Sequence, residues 1–143
     1  MKGNDDRATS LQGRGLFGGL EPGDVEGIVG AGTPVSFSAG QAIFESGDQG
    51  DAMYVILGGE AQVDVGGRFH TLKTGDFFGE MALLAPGKRM ATVRAETDVE
   101  ALRISVEGFQ AVLLQRPHVA VSMMKALALR LREVEQRIDA WMA

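Results

Sequence analysis

The spacing of apolar residues changes character twice along the chain. Residues 1–14 are polar, dotted with glycine and without period, so a flexible tail is expected there. Leu16, Phe17 and Leu20 suggest a short helical turn. Glu21-Pro22-Gly23-Asp24 then opens a helix whose Val25, Ile28 and Val29 share one face, until Gly30 and Gly32 end it. From Thr33 the period drops to two. Val35 with Phe37, Ala42 to Phe44, Met53 to Leu57, Ala61 to Val65 and Arg68 to Lys73 read as strands, separated by a polar loop at 46–51 and by glycine pairs at 58–59 and 66–67. Met90 to Ala95 and Val99 to Ile104 add two more around a turn at Glu96-Thr97-Asp98.

The helical period returns at Ser105, a good N-cap, after which Phe109, Val112 and Leu113 fall on one face. Pro117 suits the first turn of a second helix, predicted to run nearly to Trp141. Its apolar residues Met123, Leu127, Leu131, Val134, Ile138 and Trp141 are separated by four, four, three, four and three residues. Arg132, Glu133, Glu135 and Arg137 lie off that seam. Two readings carry equal weight: a helix packing on its own sheet, or one that self-associates or caps a ligand. The pattern as a whole predicts a mainly β domain over 15–143, with antiparallel strands at about 33–104, helical pieces before them and two helices at about 105–142.

Composition narrows the function classes. At 143 residues, 45% hydrophobic and 23% charged, the chain suits one independently folding domain. A net charge of −5 argues against broad electrostatic binding of nucleic acid or an anionic membrane by this chain. The absence of cysteine removes disulfides, thiolate nucleophiles and Cys-ligated clusters. No apolar run approaches the roughly 18 residues of a membrane span. Met1 to Arg14 lacks the apolar stretch of a signal peptide, so a cytoplasmic location is expected. His70 and His118 lie far apart without a carboxylate cluster, and no serine has a credible local base, so neither a metal site nor an enzyme is expected.

The candidate chemistry is concentrated in Phe77 to Ala95, FFGEMALLAPGKRMATVRA. A short helix launched at Gly79 and broken at Pro86 would offer unpaired N–H groups to an anion. Arg89, returning past it, would add a planar fork of donors, and ionised Glu80 would accept from paired hydroxyls. Nine residues apart, the two make a plausible sugar-phosphate site. As isolated residues they would more often pair with each other at a surface, a contact worth about 0–1 kcal/mol. Lys88 is expected to be solvated.

This stretch closely resembles the phosphate-binding cassette of the cyclic-nucleotide-binding domain family, found in regulatory subunits of cAMP-dependent protein kinase, cyclic-nucleotide-gated channels and bacterial catabolite-activator-type regulators. The match covers Phe78-Gly79-Glu80, Met81 to Leu84, the Pro86-Gly87 turn and Arg89-x-Ala91-Thr92-Val93. The resemblance implies an antiparallel double-stranded β-helix, or β-roll, with Gly58, Gly59 and the loop around Gly47 and Asp51 as structural elements. It implies that Glu80 binds the ribose 2′-hydroxyl, that Arg89 pairs with the cyclic phosphate, and that backbone N–H groups around Gly79, Glu80, Met81 and Ala91 complete a cradle that includes Ala82 and Met90. It further implies terminal helices that move when ligand binds, and a C-terminal helix that can form a homodimer.

Met90 departs from the pattern. Relatives often carry alanine, serine or threonine there, and a hydroxyl can contact the phosphate. Methionine forgoes that bond, about 0.5–1.5 kcal/mol, and weakens any case for cGMP, so cAMP is the expected ligand. No base-capping residue is assigned: Val134 and Glu135 do not match the adenine contacts of the family, and Trp141 or an arginine such as Arg132 could cover the base by stacking or cation–π contact. Two other readings remain: the sensor part of a transcription regulator whose DNA-reading part is elsewhere, or an interaction module that kept the fold and lost the ligand.

Overall fold

A computed structural model describes residues 15–142. The expected tail at 1–14 and the side chain of Trp141 lie outside the described residues. A single 3-10 turn, Gly15–Phe17, leads into α1, Pro22–Gly30. The strands follow as β1 Thr33–Phe37, β2 Ala42–Phe44, β3 Gln49–Gly50, β4 Ala52–Gly58, β5 Ala61–Val65, β6 Arg68–Leu72 and β7 Phe77–Phe78. After the short helix α2, Met81–Leu84, come β8 Gly87–Lys88, β9 Thr92–Ala95 and β10 Val99–Ser105, then α3 Val106–Gln115 and α4 Pro117–Met142.

All strand pairs are antiparallel. One four-stranded sheet has the order β1-β10-β4-β7, a second has β2-β9-β5-β6, and β3 pairs with β8 as a two-stranded flap. The central strand β4 shows why its sequence, AMYVILG, is apolar almost without interruption. Ala52, Tyr54 and Ile56 point into the space between the two sheets, where they meet Val93, Ala95, Val99 and Ala101. Met53 and Val55 point the other way, against Leu16, Phe17, Val25, Ile28, Phe109 and Met123 of the helical layer. β10 divides likewise, Val99 and Ala101 inward and Leu102 and Ile104 toward the helices. A strand buried on both faces has no polar side to alternate with.

Two helix starts follow familiar end signals. Pro22 opens α1, and the Ser105 hydroxyl accepts from the Gly108 N–H at 3.0 Å at the start of α3. Only Arg116 separates α3 from α4. Its guanidinium reaches back to the buried carboxylate of Asp24 in α1 at 2.9 Å, and His118 Nε2 joins the same oxygen at 2.8 Å. The reading of α4 as a helix packing on its own sheet holds for its first half. Val119, Met123 and Leu127 pack on the core, while Leu131, Val134 and Ile138 are exposed.

Boundaries near the cavity differ from the sequence reading. The polar loop at 46–51 contains strand β3, whose two residues are too few for any period to show. The strand expected from Met90 starts at Thr92, because the residues before it turn aside to meet that loop.

Candidate functional site

β7 ends at Phe78, and Gly79 follows with φ +78°, a left-handed conformation that turns the chain sharply toward α2. The same residue must also be small. A β-carbon on Gly79 would lie 2.7 Å from Arg89 Nη1 and 3.3 Å from the Ala52 carbonyl oxygen. Because Gly79 is left-handed, the helix starts at Met81 rather than at Gly79, with Glu80 as its N-cap residue. The Ala82 N–H donates to the Gly79 carbonyl at 3.2 Å and the Leu83 N–H to that of Glu80 at 3.1 Å. These two N–H groups are engaged within the turn, while Gly79, Glu80, Met81 and Ala82 all line the cavity beside it.

After Pro86 the chain pairs through β8 with β3 and reaches Arg89, whose backbone is held from both sides. Its N–H donates to the Asp48 carbonyl at 2.7 Å, and its carbonyl accepts from the Gly47 N–H at 2.8 Å. The side chain turns inward and is 9% exposed. Nη2 donates to the Ala52 carbonyl at 2.6 Å, and Nη1 makes a long contact of 3.5 Å with that of Gly79. The guanidinium carbon sits 4.0 Å from the centroid of the Phe44 ring. Nε is buried without a hydrogen-bond partner, and Gly50 lies beside it with no side chain in the way.

Arg89 is therefore a buried cation with no carboxylate in ion-pair range among the described residues. Burial depresses its affinity for the proton, against the smaller opposing effects of Tyr54 and Asp51. Glu80 does not pair with it, so the surface ion pair that these two residues would form in isolation is not made. The cavity in front of the guanidinium has a volume of about 270 Å³. Its lining includes every residue singled out in the sequence: Gly79, Glu80, Met81, Ala82, Arg89, Met90 and Ala91, along with Lys88. Met90 stands at the rim, 85% exposed.

The remaining wall is apolar: Phe44 from β2, Val63 from β5, Phe78 from β7 and Val93 from β9. Sequence reasoning assigned Phe44, Val63 and Val93 to strands and included Phe78 and Val93 in the matched cassette, but named none of the four as a wall of the site. Nor did it find Gly50 and the Ala52 carbonyl, since a backbone acceptor leaves no mark in a sequence. Among the described residues there is no cluster of three or more His, Cys, Asp or Glu suited to a metal, and no helix long and apolar enough to cross a membrane.

A family model described as the cyclic nucleotide-binding domain matches residues 34–116, which takes in both sheets, the cavity and α3. The chain belongs to the cyclic nucleotide-binding domain family. Within that family it is 34% identical over 135 residues to the cyclic AMP receptor protein of Thermus thermophilus, covering 90% of this chain and 62% of that protein. It is 28% identical over 130 residues to a CRP-like cAMP-activated global transcriptional regulator of Mycobacterium tuberculosis, covering 87% and 58%. The N-terminal domain of a transcriptional regulator from Streptomyces coelicolor superposes with a TM-score of 0.80 at 29% identity, covering 90% of this chain and 93% of that one. The chain thus spans about three fifths of the length of these two bacterial regulators. The cyclic nucleotide-binding fold expected from the cassette, antiparallel sheets with flanking helices, is the fold observed.

Proposed function

We propose that this domain is a cAMP sensor in which Arg89 pairs with the cyclic phosphate, Glu80 accepts from the ribose 2′-hydroxyl, and N–H groups of Glu80, Met81 and Ala91 complete the cradle. One observation carries the reading: a buried guanidinium, with no carboxylate in ion-pair range among the described residues, faces a cavity walled by Phe44, Val63, Phe78 and Val93 and bordered by Glu80. An unpaired buried charge is costly, and an incoming anion relieves that cost where a surface ion pair would gain little. Family membership and two relatives named for cAMP support the choice of ligand. Met90, without a hydroxyl at the rim, favours cAMP over cGMP. The role is binding, with no catalytic group invoked.

Occupancy has a physical route to the helices. α2 turns Ala82 toward the cavity and Leu83 into the cluster formed by Phe17, Phe109 and Met123, so a ligand drawing on α2 also pulls on the packing of the terminal helices. Such a ligand shifts the helices only by its differential affinity for the two arrangements. The exposed Leu131, Val134 and Ile138 suit self-association of α4 as a homodimer.

A second reading concerns the larger protein. Because the chain spans about three fifths of the bacterial regulators it matches, it corresponds to the sensory part of such a regulator, with DNA reading done by a segment other than this one. Calorimetric titration with cAMP, cGMP and a cyclic dinucleotide tests the ligand. Saturable 1:1 binding tightest for cAMP is expected, and no heat from any of the three would leave a binding fold without this ligand class.

A further inference from the structure

We propose that Phe44 is a positioning residue for the anion site: its ring fixes the plane of the Arg89 guanidinium, so that an incoming phosphate meets donors already oriented. This rests on the nucleotide reading above. A buried arginine is ordinarily oriented by a carboxylate fork, and among the described residues Arg89 has none within ion-pair range. Its Nη2 is anchored on the Ala52 carbonyl at 2.6 Å, but the Nη1 contact to Gly79 is 3.5 Å long and Nε has no partner. One firm hydrogen bond leaves the guanidinium free to tilt. The ring of Phe44, 4.0 Å from the guanidinium carbon, supplies the missing constraint.

The ring is itself well held. It packs at 6.1 Å from Tyr54 and 5.8 Å from Phe78, which stack on each other at 5.4 Å and 17°. β2 also pairs with β9, placing Phe44 opposite Val93 four residues beyond Arg89. The attraction between a cation and an aromatic face strengthens where water is excluded, as it is around this nearly buried side chain. An aliphatic residue of similar bulk would fill the same space without drawing the cation to it. Orientation settled before binding lowers the cost of ordering the donors afterwards.

The test is calorimetric titration of cAMP against the parent domain, Phe44→Tyr and Phe44→Leu, with Phe44→Met in place of leucine if that variant does not fold. Melting of each unliganded protein accompanies the titrations. Phe44→Tyr keeps the ring and should bind within about twofold of the parent, while the aliphatic variant should bind about three- to thirty-fold more weakly. The Arg89 Nε–H proton resonance should move in the aliphatic variant alone, as it leaves the ring's shielding region. Aliphatic binding equal to the parent, or tyrosine binding as weak as leucine, overturns the role of the ring. Absence of cAMP binding by the parent overturns the nucleotide reading, and this proposal with it.

Discussion

Gly50 and Arg89 stand so close that a β-carbon on the glycine would lie 2.9 Å from Nε and 3.1 Å from Cζ of the arginine. The backbone of Gly50 is ordinary strand, paired with Gly87, and would tolerate alanine. Gly50→Ala should therefore act on the guanidinium rather than on the fold. Affinity for cAMP should drop about tenfold or more, equivalent to roughly 1.4 kcal/mol, with the unliganded melting midpoint changed by only a few degrees. Calorimetry together with a melt separates the two effects, and an unchanged affinity would show that Arg89 can be displaced without consequence.

Replacing Arg89 should divide function from stability. Arg89→Met fills similar space without a buried charge, so the unliganded domain is expected to melt at the same temperature as the parent or higher. Two or more charge-assisted hydrogen bonds to the ligand would go, each worth about 1.5–3 kcal/mol, and cAMP affinity should fall at least about a hundredfold. The stabilisation that excess cAMP should give the parent is expected to be absent from the variant's melting curve. Persistence of that shift would remove Arg89 from the site.

Acid should loosen the attachment of α1. Burial raises the proton affinity of the Asp24 carboxyl, but hydrogen bonds from Arg116 and His118 outweigh it, and the net displacement is below the ordinary value. A carboxylate depressed in the folded state stabilises fully above its unfolded value, about 3.9, and loses that contribution as pH falls through the folded value. Asp24→Asn should cost about 1–3 kcal/mol near neutrality. The gap between variant and parent, followed by urea unfolding, should narrow below about pH 4. A gap independent of pH would mean that the charge of Asp24 contributes nothing.

The exposed half of α4 makes a separate prediction. If Leu131, Val134 and Ile138 form a seam between two copies, Leu131→Glu combined with Ile138→Glu should convert a dimer to a monomer in sedimentation equilibrium, with cAMP affinity per site little changed. A monomeric parent at high micromolar concentration would end the dimer reading.

The parts legible in the sequence were those whose cause is local. Alternation marked the longer strands, Ser105 and Pro117 marked helix starts, and the Glu80-to-Arg89 spacing located the cavity. What escaped was set by partners distant in the chain. β3 exists because Gly87 and Lys88 come to it, and the Arg89 backbone is gripped by Gly47 and Asp48 from a loop that the resemblance marked as structural without saying what it holds. Phe44 read as one more core aromatic, since nothing local to it predicts a cation above its ring. The start of α2 shifted to Met81 because Gly79 was needed for its left-handed turn before it could serve as a helix residue.

The helical layer over β4 and β10 is built from both ends of the described chain. Leu16, Phe17, Val25, Ile28 and Val29 come from before the family-matched stretch, and Val119 and Met123 from after it. A protein trimmed to 34–116 would keep every cavity-lining side chain and the cover that Phe109 and Val112 provide, but would strip the wall of Val55, Leu102 and Ile104 of its partners from either end. Anyone wishing to transplant this cavity into another protein must carry its flanking segments along, or furnish substitute cladding for that wall.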